Sequence, residues 1–167
     1  MADNSKKQIL NKKKSKALNF LGINRKQFIR TNRKYSGKIL GLDYGTKNIG
    51  LAISDSRQCQ AFVYDTLKVS QKLFNEIKEI CDKELIDKIV IGLPLGLNGE
   101  YTKKTNEVIC FVEELESQTK LIVETQDERL SSLEADKSGS GHGRDEEAAR
   151  IILQQYLDRQ QEAQIRT

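Results

Sequence analysis

The stretch Lys38-Ile-Leu-Gly-Leu-Asp-Tyr-Gly-Thr-Lys-Asn-Ile-Gly-Leu-Ala-Ile-Ser54 decides the fold. Its first part, Lys38 to Asp43, is apolar on both faces until the last residue, which predicts a central strand rather than an exposed edge. Tyr44-Gly-Thr-Lys-Asn48 breaks that run with turn formers, and Ile49 to Ser54 predicts a second strand. So short a link between two strands implies an antiparallel hairpin. Asp43 is the anomaly. A carboxylate closing an apolar strand is costly unless it is paired, hydrogen-bonded or metal-bound. It stands at the carboxyl end of a central strand, the edge where open α/β sheets place their ligands. The competing role is structural, with the side chain accepting backbone N–H bonds from the following turn.

Toward the C-terminus, Ala61-Phe-Val-Tyr64 predicts a third strand. Ser70 stands as an N-cap before a helix over about 71–83, whose apolar positions Leu73, Phe74, Ile77, Ile80 and Cys81 fall at helical spacing. Asp87 to Ile91 predicts a fourth strand, closed by Gly92 and Pro94. A helix over about 103–117 carries Val108, Phe111, Val112 and Leu115 on one face, and Leu121-Ile-Val123 predicts a fifth strand. A short helix is expected around Leu130 to Asp136. Ser138-Gly-Ser-Gly-His-Gly143 reads as a mobile loop. A last helix over about 145–159 has Ala149, Ile152, Leu153, Tyr156 and Leu157 as its apolar stripe. The order is β-β-β-α-β-α-β-α, which predicts an α/β domain: a mixed five-stranded sheet with helices on both faces.

Toward the N-terminus the character changes. Residues 1–38 hold nine Lys, three Arg and one acid, a net charge of +11. The whole chain carries +4, so residues 39–167 sum to −7. A Lys-rich arm attracts polyanions through phosphate contacts without sequence preference. Residues 1–37 are therefore expected to form a disordered basic arm, 38–159 the folded domain and 160–167 a polar tail. No run approaches the roughly 18 apolar residues a membrane span needs, and no secretory signal opens the chain. Cys59, Cys81 and Cys110 are odd in number and far apart, and Cys81 and Cys110 adjoin apolar residues. They are expected to be reduced, buried thiols of a cytoplasmic protein.

Asp145 precedes Ala149 by four residues and Ile152 by seven, so it shares their stripe at the helix N-terminus, where the dipole favours a negative charge. A plain cap is its other reading. Glu124, Asp127 and Glu128 all fall near the end of the fifth strand, and any of them fits a third carboxylate. Arg129 is placed to contact phosphate or to form a surface ion pair. Three carboxylates drawn from distant segments tolerate proximity only with a cation or shared protons. Oxygen-only ligands suit Mg²⁺ or Mn²⁺, which activate water and stabilise a leaving oxygen in phosphodiester hydrolysis. The chain has a single histidine, His142, in the Gly-rich loop; it is either a proton relay or an exposed loop residue. No Ser or Cys has a base at recognisable spacing, which disfavours covalent hydrolysis. Neither Gly45–Gly50 nor Gly92–Gly99 continues as a P-loop.

Gly41 to Asp55 resembles the opening motif of the RuvX/YqgF family of pre-16S rRNA nucleases, proteins also described as Holliday-junction-resolvase-like. The resemblance continues at Gly92-Leu-Pro-Leu95, Asp127-Glu-Arg-Leu-Ser131, Asp145-Glu-Glu-Ala-Ala149, Ile151-Ile-Leu-Gln154 and Tyr156-Leu157. It implies a ribonuclease-H-like fold and a metal-dependent endonuclease whose acids map onto Asp43, Glu128 and Asp145. Lys47, Thr46, Asn48 and Arg129 are then the substrate contacts. The implied substrate is structured precursor rRNA, with the ribosomal small subunit as a further partner and a monomer or weak dimer as the working form. Four features depart from the family: Asn48 stands where it usually has Arg, residues 97–104 follow its phosphate loop only loosely, 138–143 is smaller and less basic, and the arm before Lys38 is longer than the family needs. Two other classes compete. Asp43-Tyr-Gly-Thr46 also resembles the phosphate motif of sugar kinases and actin-like ATPases, but those need two such lobes. A non-catalytic nucleic-acid binder is the other, and retained carboxylates argue against it.

Overall fold

The computed structural model describes residues 37–128 and 144–165. The expected arm before Lys38, apart from Gly37, and the expected helix at 130–136 lie outside the described residues, as do Arg129 and His142.

Strands β1 (Lys38–Tyr44), β2 (Asn48–Ser54) and β3 (Ala61–Lys68) form an antiparallel meander. Helix α1 (Leu73–Glu84) leads to β4 (Ile86–Leu93), and helix α2 (Lys103–Thr119) leads to β5 (Ile122–Asp127). Helix α3 (Arg144–Ile165) closes the domain. The sheet order is β3-β2-β1-β4-β5, with β4 parallel to β1 and β5 parallel to β4. The apolar run of β1 is thus explained: it lies mid-sheet and is covered on both sides.

Side-chain size differs between the two faces. One face carries Leu40, Leu42, Leu51, Ile89 and Ile91, which pack against Ile77 of α1 and Phe111 and Leu115 of α2. Each such fully buried side chain stabilises the fold by roughly 1.5–3 kcal/mol. The other face carries Ile39, Ala52 and Val90 against Ala149, Leu153 and Leu157 of α3. On that face β1 also has Gly41, whose missing side chain leaves room for Leu153 and the carbonyl of Ala149. Small residues under α3 let its backbone ride close to the sheet, and this sets the height of the acidic side chains at its N-terminus.

Helix α2 is tied to the exit of β4. Thr102 caps it in a reciprocal box with Thr105, and the Thr105 hydroxyl also donates to the carbonyl of Pro94.

Four expectations are corrected. Strand β3 runs four residues beyond Tyr64. Helix α1 starts at Leu73 after Lys72, and Ser70 instead accepts from the Lys72 N–H in the preceding turn. Helix α3 continues through the residues read as a polar tail, to Ile165. All three cysteines are free, but only Cys81 is buried. Cys59 sits in the turn after β2, and Cys110 lies off the buried stripe of α2. Among the described residues, no helix is long and apolar enough to cross a membrane.

Candidate active site

Because β2 runs antiparallel to β1, and β4 and β5 run parallel to it, one sheet edge collects the ends of β1, β3, β4 and β5 and the start of β2. Asp43 stands at that edge on the α3 face, two residues past Gly41. Gly50 of β2 lies directly opposite it. A side chain at position 50 would run into the backbone carbonyl of Asp145, so this glycine lets the first turn of α3 close onto the sheet. Asp145 thereby comes within electrostatic reach of Asp43, and the amide of Asn48 donates to its carboxylate at 3.4 Å.

Glu128 follows β5, still paired to β4 through its N–H to the Leu93 carbonyl at 3.3 Å. Its carboxyl lies over Gly92, where any side chain would occupy the same space. Burial pushes the Glu128 carboxyl up to about 7; repulsion from Asp43 and, less strongly, Asp127 adds to this, and Lys104 opposes it. Asp43 is also held above the usual carboxylate range, chiefly by burial, with Lys104 lowering it and Asp145 raising it. Asp43 is therefore the centre of the group, coupled to an acid on either side.

Glu124 is committed elsewhere. It pairs with Lys88 at 2.6 Å and accepts from the Tyr156 hydroxyl at 2.7 Å, an arrangement that pins α3 to β4 and β5. Thr46 and Lys47 are exposed in the β1–β2 turn. Lys104, in the first turn of α2, escaped the sequence reading, yet it is the cation facing both Asp43 and Glu128. The signal was available: Lys103 and Lys104 stand where the helix dipole disfavours positive charge, and no acid offsets them in that turn.

The oxygen-only donors and their mutual repulsion suit a hard divalent cation, which would relieve both. Among the described residues, no three His, Cys, Asp or Glu side chains close into a ligand set.

Residues 37–159 match the family described as "RuvX: Holliday junction resolvase". A "Putative pre-16S rRNA nuclease" of Maridesulfovibrio salexigens is 41% identical over 133 residues, spanning 73% of this chain and 98% of the relative. Proteins of the same name from Clostridioides difficile (41% identical, 73% and 94% covered) and Clostridium botulinum (38%, 72% and 96%) are similar. Among solved structures, Thermus thermophilus RuvC in complex with a Holliday junction substrate superposes with a TM-score of 0.51 at 12% identity, covering 75% of this chain and 96% of that one. A second Thermus thermophilus RuvC structure gives 0.50 at 12% identity, covering 74% and 96%. Together with the sheet order, this likeness shows a ribonuclease-H-like fold.

Proposed function

This chain belongs to the RuvX family, and from that premise we propose that it is a divalent-metal-dependent endonuclease that trims the 5′ end of precursor 16S rRNA in a bacterial-type cytoplasm. One observation carries the reading: Asp43 is electrostatically coupled to Asp145 on one side and Glu128 on the other, at the sheet edge where β1 ends.

Asp43, Glu128 and Asp145 would hold Mg²⁺ or Mn²⁺. When bound, such a cation polarises the phosphodiester and makes water a better nucleophile. The chain's own residues do the rest. Asn48 steadies the Asp145 carboxylate, Gly92 makes room for that of Glu128, and Lys104 adds positive charge beside Asp43 where the scissile phosphate must approach two acids. Lys47, Thr46 and Arg129 contact the substrate backbone nearby, and His142 is a candidate proton relay. The small ribosomal subunit is the natural setting for such a substrate.

Branched DNA is the second substrate class, favoured by the family description. The deciding experiment compares Mg²⁺- and Mn²⁺-dependent cleavage of pre-16S rRNA, an unrelated structured RNA and a four-way DNA junction, using wild type and Asp43→Asn. Specific scission near the mature 5′ end, abolished in the variant, is the expected result. Preference for the junction would transfer the function to DNA. Cleavage that survives Asp43→Asn would remove the proposed site.

A further inference from the structure

The exposed cation Lys68 has no part in the site described so far. Its strand, β3, pairs with β2 so that Lys68 lies directly opposite Asn48, and Thr66 opposite Gly50. Opposed residues of an antiparallel pair project to the same face, with Cβ atoms about 4.5–5.5 Å apart. That face is the one covered by α3. Asn48 donates to Asp145 at 3.4 Å, and the Thr66 hydroxyl bonds Glu146 at 2.9 Å, both acids lying in the first turn of α3. The strand end is not frayed, since the Val69 N–H donates to the Lys47 carbonyl at 2.9 Å. The Lys68 side chain is exposed and, among the described residues, makes no hydrogen bond or ion pair.

A register shift explains the placement. Ala61, an odd position, packs against α3, whereas the even positions Thr66 and Lys68 face it beyond the irregularity between Leu51 and Ala52. The bulge thus puts a lysine on the α3 face instead of toward the opposite core.

Two cationic flanks result. Lys47 and Lys68 lie on the β2–β3 side of Asp43, and Lys103 and Lys104 lie on the β4–α2 side. Given the nuclease reading, on which this rests, we propose that Lys68 holds a backbone phosphate of the substrate. The bound strand then crosses the sheet edge from β3, over Asp43, to the N-terminus of α2. Neighbouring strands are about 4.8 Å apart, so Lys68 lies roughly 10 Å from the line of β1, a short way along the backbone from the reacting phosphate. Lys68 also supplies positive charge beside a position, Asn48, that carries none.

The test uses the full chain, with Asp43→Asn as the non-cleaving background and a 5′-labelled RNA hairpin with a single-stranded flank as the probe. Adding Lys68→Ala should weaken binding roughly three- to tenfold near 0.1 M salt and flatten the log–log salt dependence by about one phosphate contact. In the cleaving protein it should raise KM with kcat within about twofold and leave the melting temperature in place. Lys68→Arg, which keeps the positive charge, should leave both affinity and slope close to wild type. An unchanged slope, or a loss of affinity matched by a fall in melting temperature, would overturn the assignment. If wild type cleaves but Lys68→Ala is indistinguishable from it, only this track fails. If wild type neither binds nor cleaves the RNA, the nuclease reading fails with it.

Discussion

The carboxyl of Glu128 occupies the space in which a side chain on Gly92 would begin. Its neighbours there are the ends of flexible side chains, the Glu128 carboxyl itself and Ile152 Cδ1, which stands 2.7 Å from where a Cβ would be. Gly92→Ala can therefore be absorbed by moving Glu128 rather than backbone. We expect a stability loss of only about 1 kcal/mol and a fall in cleavage of about a hundredfold or more, since the displaced carboxyl leaves Asp43. Denaturant melts together with single-turnover rates check this. Wild-type activity in a folded Gly92→Ala would show that Glu128 need not sit there.

Gly50 makes the opposite case. What a Cβ would meet there is backbone, the Asp145 carbonyl and the Glu146 nitrogen at 2.9 Å. Gly50→Ala must lift the first turn of α3, so stability should fall by about 2–3 kcal/mol and activity should fall with it. If stability fell less than for Gly92→Ala, α3 would be shown to rest loosely on the sheet.

The Glu128 carboxyl, raised to about 7 by burial and by Asp43, sets a pH dependence of known sign. The folded chain keeps a proton that the unfolded chain releases above the ordinary value near 4.5. Stability of the metal-free protein therefore falls as pH rises from about 4.5 to 7 and levels off above, at a cost on the order of 3 kcal/mol. Glu84 and Glu124, held low chiefly by hydrogen bonds from Lys38 and Lys88, pull the other way, because their stability is lost as pH drops. The wild-type minus Glu128→Gln difference isolates the effect. In chelator it should grow in favour of the variant across that window, and parallel curves would refute it.

These effects depend on contacts that the sequence disclosed unevenly. Asp43 was legible because one carboxylate ends an otherwise apolar strand. Among Glu124, Asp127 and Glu128, strand position did not discriminate. What separates Glu124 is a hydroxyl 32 residues away, on Tyr156. Strand β3 was read too short because Asp65 and Thr66 interrupt its apolar run, and the bulge that turns Lys68 toward α3 defeats any strict period of two. Cys110 was misread for a related reason, since apolar neighbours do not bury a residue that an off-stripe helical position holds outward, and Cys59, between Gln58 and Gln60, is held outward by the turn after β2.

The +11 charge of residues 1–38 against −7 for the remainder predicts a sequence-independent contribution to RNA binding from the arm. Deleting residues 1–37 should weaken binding of any RNA and flatten its salt dependence by several contacts, with the cleavage position unchanged. An unchanged salt slope would show that the arm does not touch phosphate.

At Asp145, stability and activity should move in opposite directions. Its charge raises the Asp43 carboxyl, so in the absence of metal the pair costs stability at neutral pH. Against this stands the helix dipole, which favours an acid in the first turn of α3. That turn holds three acids, and the other two have partners of their own: Glu146 accepts from Thr66, and Glu147 pairs with Arg150 at 2.6 Å. Removing one charge therefore leaves the dipole served, and the relieved repulsion between full charges at short range should dominate. Asp145→Asn also keeps an oxygen able to accept from Asn48, so the local contact survives. The variant should melt at or slightly above wild type in chelator at neutral pH, lose the stabilisation that Mg²⁺ gives wild type, and lose cleavage because the metal loses a ligand. Thermal melts of both proteins, with chelator and with Mg²⁺, read all three. A variant that melts clearly below wild type in chelator would make Asp145 a helix-stabilising residue first, and Asp43 with Glu128 would then have to hold the metal without it.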